Sequence, residues 1–161
     1  MNVEVEVEER KARALVGWRL LALAYDALPV LALWMLVSAA FTLGYTFIGH
    51  HDPHQNIRPF SPLAWLLWAC CWVASGAYAV LSWRGGGQTL GMRPWRLRVS
   101  AADGNAPGWR ALAIRYAVGT LSLLAAGAGF WWAWLDRDAL AWHDRASETR
   151  MARLPKRPRG G

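Results

Sequence analysis

The sequence predicts an all-α integral membrane protein: three transmembrane helices, with a short amphipathic β-hairpin or surface segment between the second and third. Three observations carry this. Apolar residues make up 55% of the chain and collect in three blocks, 14–48, 62–83 and 116–135. A bilayer core of about 30 Å needs roughly 20 apolar helical residues, and each block supplies that length. The first block holds only Arg19 and Asp26 as charges, and the other two hold none. Twelve Trp among 161 residues suit a chain with membrane–water interfaces, where the indole ring is half apolar and half polar.

Residues 1–13 form a charged tail. Val3, Val5 and Val7 alternate there with Glu4, Glu6 and Glu8. That period is strand-like, but an isolated strand has little stability, so disorder or an interfacial start to the first helix is expected. The first apolar run is too long for a cleavable signal peptide, and an acidic tail precedes it, so it should stay as an anchor. The first helix is expected at about 14–47, longer than the bilayer core, so it must tilt, kink or protrude. Pro29 supplies a place for a kink. Pro53, Pro59 and Pro62 break the helix in the loop 49–61. The second helix is expected at 62–83. The third is expected at 109–135, with a break at Gly127-Ala128-Gly129. Between them Gly85-Gly86-Gly87 turns the chain. Trp95, Leu97 and Val99 then alternate with Arg96, Arg98 and Ser100, and Asp103-Gly104 marks a hairpin turn. Trp18, Trp65, Trp83, Trp109 and Trp134 fall near block ends, whereas Trp34, Trp68 and Trp72 lie deeper, as packing residues. The domain plan is a tail at 1–13, a transmembrane domain at 14–150 and a basic disordered tail at 151–161.

A net charge of +7 invites a nucleic-acid reading, but the Arg residues flank apolar blocks and no nucleic-acid-binding signature accompanies them. Their expected partners are anionic lipid headgroups. Counting Lys and Arg gives four through residue 19, one in the first loop, six in 84–115 and seven after residue 135. Three crossings would set ten against eight, nearly balanced. The poorly basic first loop is then outside, and the basic C-terminal tail is the misfit unless the third segment turns back at Gly127-Ala128-Gly129. The adjacent Cys70 and Cys71 read as small apolar fillers. His50, His51, Asp52 and His54 have the chemistry of metal ligands, but Pro53 bends them and a solvated loop is the better reading. The glycine run lacks the ending of a phosphate-binding loop. Ser147 beside His143 and Asp144 is a local coincidence of one helical turn. No enzyme, metal or cofactor is predicted.

The chemistry lies in the buried charges. A charge at the bilayer centre costs about 2.5–3.5 kcal/mol on insertion scales. Arg19 can snorkel from its helix end, while Asp26 is deeper and short. Seven residues separate them, two helical turns or roughly 10.5 Å along nearly the same face. They are too far apart to pair well, so each needs a partner from elsewhere: Arg115, Arg110 or the cluster Asp136 to Arg150, which includes Asp138, His143, Asp144, Ser147 and Thr149.

These residues carry a resemblance. Trp18-Arg19 followed by Asp26, then GGGQTLGMRPWRLRV at 85–99, ADGNAPGWRALAIR at 102–115, GFWWAWLD at 129–136 and WHDRASET at 142–149 resemble, in order and spacing, the RDD family of small membrane proteins. Its name refers to an Arg at the start of the first membrane helix and two Asp. The resemblance implies Arg19 as the Arg, Asp26 as the first Asp, and Asp144 as the second, with Asp136 as the alternative. Ser147-Glu148 stands where the family more often has Ala-Gly. The resemblance implies a three-helix membrane domain for which ligand or ion transport is suggested. The leading expectation is cation/proton exchange across a bacterial inner membrane. Asp26 would titrate, Arg19 would set its pKa, and Asp144 or Asp136 would be a second acid station. His143 and Arg115 complete the constellation. So small a transporter should oligomerise. The alternative is a membrane scaffold binding a protein partner, with Arg19 and Asp26 as an interhelical clamp.

Overall fold

The computed structural model describes residues 15–50, 52 and 55–155. The valine–glutamate alternation near the N-terminus, His51, Pro53 and His54 of the first loop, and the tail from residue 156 lie outside the described residues.

The chain is mostly helical. Leu- and Ala-rich sequence, high in helix propensity, forms α1 over Val16–Leu43, which runs on through Pro29. A π-helical turn, Gly44–Ile48, extends it. The 33-residue apolar unit Val16–Ile48 is about 50 Å long at 1.5 Å per residue, well beyond a 30 Å core. The surplus is at its start. Val16, Arg19 and Ala22 are buried in protein, while Leu28, Met35 and Leu36 further along are exposed.

Pro62–Gly86 forms α2. Ser61 caps it by accepting a hydrogen bond from the Ala64 N–H at 3.2 Å, and Pro62 at the first helical position spends no needed donor. Gly87, at φ +73°, ends it three residues beyond the expected boundary. Gly76 lets α2 approach the next long helix closely, since a Cβ there would lie 2.7 Å from the Tyr116 ring. Trp34 and Trp72 donate across helices to Ser75 and Thr120. Trp68, expected to pack inside, is instead 71% exposed.

The third apolar block is two helices, α3 (Trp109–Leu124) and α4 (Ala128–Leu135), bent by 98°. Ala126 and Gly127 are both left-handed, and the Gly127 N–H reaches back to the Ser122 carbonyl at 2.8 Å, a pattern that closes a helix end. Two helices, Val16–Ile48 and Pro62–Gly86, are therefore long and apolar enough to cross a membrane among the described residues, or three spans if the bent pair counts as one.

The expected local hairpin is corrected. Leu97–Ala101 is a strand, β1, but it pairs with Thr149–Arg153, β2, beyond the short helix α5 (Trp142–Ala146). The pairing is antiparallel, from Leu97↔Arg153 to Ala101↔Thr149. The turn at Asp103-Gly104 does form, with Asp103 accepting the Asn105 N–H at 3.0 Å. Pro107-Gly108 then follows within a few residues. Proline lacks the N–H a ladder needs, so no return strand can grow there. The basic tail expected from residue 151 is thus ordered in the ladder as far as Arg153.

The core sits beneath this sheet. Leu97 and Val99 from β1 meet Ala22, Met92 and Leu112, with Trp18, Trp83 and Trp95 packed around them. Full burial of each larger side chain contributes roughly 1.5–3 kcal/mol. A smaller cluster joins Val16 to Ala133 and Ala141.

Candidate functional site

Two polar centres face one cavity. The first is a three-residue ion cluster at the start of α1. Asp144, fully buried on α5, accepts from Arg19 Nη1 on α1 at 2.5 Å and from Arg115 Nη1 on α3. It also accepts from the Ala141 N–H at 3.1 Å, the N-terminal cap of its own helix. Arg115 donates further to Thr149 Oγ1 at 2.7 Å, and Thr149 is tied to Ser147 Oγ at 2.7 Å. One carboxylate thus gathers α1, α3 and α5. Two guanidinium groups against one carboxylate leave an excess positive charge. Trp83 offers its ring face 5.4 Å from Arg115 Cζ, a favourable place for a cation.

Burial alone would push the Asp144 carboxyl up, but Arg115 and Arg19 outweigh it and hold it well below the usual carboxylate range. His143 is its neighbour, with Nε2 at 3.7 Å from Oδ1. Burial, reinforced by Arg115 and Arg19, pushes its imidazole down to about 3. It is therefore neutral near pH 7, and its approach to Asp144 is dipolar rather than ionic. Its ring packs 4.8 Å from that of Phe130.

The second centre is Asp26. Its Oδ1 accepts from the Tyr78 hydroxyl at 2.6 Å and the Gly91 N–H at 2.8 Å; its Oδ2 accepts from Thr89 Oγ1 at 2.5 Å. Tyr78 comes from α2, and Thr89 and Gly91 from the loop after it. Gly91 is required by proximity: a Cβ there would lie 2.2 Å from the Ala22 carbonyl oxygen and 2.7 Å from Asp26 atoms. The cavity, about 170 Å³, is bounded by Arg19, Asp26, Tyr78, Thr89, Arg115 and His143 among largely apolar walls.

Arg19 and Asp26 do not pair, as their spacing predicts. Arg19 donates to Asp144, not to Asp26. Asp144 meets two cationic partners, which favour its ionised form. Asp136 lies elsewhere: it accepts from Arg145 at 2.5 Å and from the Leu140 N–H at 3.0 Å, bracing the α4–α5 connection. Arg115 and His143 both belong to the Asp144 cluster. The sequence reading missed Tyr78, Thr89 and Gly91. Tyr78 carried a signal, since a phenol in a charge-free helix needs a partner for its hydroxyl. Thr89 and Gly91 carried none that a loop of ordinary turn residues would lack.

Fold and site together define a helical membrane protein with charged groups gathered at one end of its spans. The chain belongs to the RDD family, whose family model matches residues 13–148. Neither a curated protein nor a solved structure matches it.

Proposed function

We propose that this protein exchanges a proton for a small monovalent cation at Asp26, within the cytoplasmic membrane of a bacterium. One observation carries the reading. A carboxylate on a membrane-length helix lines a cavity together with two hydroxyl groups, Tyr78 and Thr89, that touch it. Carboxylate and hydroxyl oxygens suit a hard cation. With a cation bound, the two hydroxyls turn their protons away and present lone pairs. With a proton bound, the carboxyl is neutral and the cation leaves. Intramembrane ionisable groups have function as their default reading. The exposed apolar residues of α1 and α2 suit a homo-oligomer or a membrane partner as well as lipid.

The test is proton flux in sealed proteoliposomes on addition of Na⁺, K⁺ or Li⁺. Cation-driven flux in wild type, lost in Asp26→Asn with assembly intact, is the expected result. Absence of flux in well-folded wild type would sink it. A second reading, a scaffold without flux, is favoured by the Arg19–Asp144–Arg115 cluster, which joins three helices as a clamp does. It predicts that Asp144→Asn loses partner binding or folding and that flux is never seen.

A further inference from the structure

The strand pairing constrains how the chain meets the bilayer. β1 follows α2, and β2 follows the bent α3–α4 pair, yet the two strands are hydrogen-bonded neighbours over five register positions. The Leu154 N–H continues the contact to the Arg96 carbonyl at 2.7 Å. Arg153 lies 4.3 Å over the ring of Trp18, at the start of α1. A ladder with its strands 4.7–4.9 Å apart cannot be divided by a 30 Å hydrocarbon core. The start of α1, the α2–α3 connection and the C-terminal strand therefore share one side. Crossings by α1 and α2 already bring the chain back to that side. The α3–α4 pair adds no net crossing.

The geometry of α4 agrees. Its eight residues span about 12 Å, too short to cross. Gly129, Phe130 and Ala133 are buried against protein, while Trp131, Trp132, Trp134 and Leu135 are exposed. Asp136, Arg137 and Asp138 follow at once. An exposed tryptophan face ending in charges suits the headgroup boundary. Charge then decides the leaflet. Among the described residues this side holds Arg19, the six arginines from Arg84 to Arg115, and Arg137, Arg145, Arg150 and Arg153; the far side holds Arg58 alone.

We infer that α4 is an interfacial helix whose tryptophan face docks into the headgroup region of the inner leaflet, and that the described residues cross the bilayer twice, through α1 and α2, with the connection between those two helices outside. Single cysteines in a Cys70→Ala, Cys71→Ala background test this with a membrane-impermeant maleimide. Gln55→Cys should label in right-side-out vesicles, and Asn105→Cys and Pro155→Cys only in inverted ones. Labelling of Pro155→Cys together with Gln55→Cys would overturn the two-crossing arrangement. A nitroxide at Trp134→Cys, or at Arg137→Cys should the first variant fail to insert, should report a depth near the headgroups by its oxygen and nickel-chelate accessibility. A depth at the bilayer centre, or shielding from both agents by a covering protein, would overturn the docking.

Discussion

Asp144 has no exposed surface and meets two guanidinium groups. Removing its charge leaves Arg19 and Arg115 buried without a counterion. Asp144→Asn should therefore destabilise the protein by about 3–5 kcal/mol, whereas replacing all three residues by apolar ones of similar volume should cost far less. Thermal unfolding in detergent checks both. His143 sets a pH dependence. Its folded pKa, about 3, lies below the unfolded value of roughly 6.5. The unfolded chain thus binds the extra proton between those values. Stability is full above about pH 6.5 and falls by up to about 1.4 kcal/mol per pH unit as pH drops towards 3. Asp144, with a lowered pKa, adds its own loss only below the ordinary carboxylate range. Unfolding midpoints at pH 5 and 7 should differ in wild type, and the difference should shrink in His143→Phe. At this scale the sequence was half legible. The cost of a buried charge singles out Arg19 and Asp26 in a charge-free run, but their partners are more than 50 residues away in the chain, where no local pattern speaks.

Among the elements, the loop after α2 is the least regular and does the most positioning. Gly87 closes the helix, Thr89 and Gly91 reach Asp26, and Met92 enters the core. Gly91→Ala would drive a methyl group into the α1 backbone. It should cost about 1–3 kcal/mol by overpacking and displace Thr89 and the Gly91 N–H from Asp26. Under the exchange reading it should also lower cation-driven flux while leaving insertion intact, as reconstitution of the variant would show. Helix extents and breaks were legible here from apolar block length and breaker residues: Pro62 marked the start of α2, and the glycines near residue 127 foretold the break. Strand β1 was legible from its alternation of Leu97, Arg98 and Val99. Its partner was not, because pairing depends on where α3 to α5 return the chain, and period-two alternation is equally satisfied by any neighbouring strand.

For the whole molecule, hydrophobicity divides the chain into a membrane part and a base. The base is built from the first turns of α1, the α2–α3 connection, α5 and the sheet, and both polar centres lie where it meets the spans. The exposed leucines and tryptophans of α1 and α2 follow from composition, since a bilayer is the solvent for which such a surface is favourable. The sequence by itself predicted a helical membrane protein with three apolar blocks, the first two of which are helices long enough to span, together with the Arg and Asp inside the first block and the RDD resemblance, because length, charge depletion and motif order are local properties. The tertiary structure alone decided that Asp144 rather than Asp26 answers Arg19, that Tyr78, Thr89 and Gly91 hold Asp26, and that the third apolar block bends back to set β2 beside β1. Each of these rests on contacts between segments distant in sequence, and the geometry of packing, not composition, chooses among partners of the same charge and polarity.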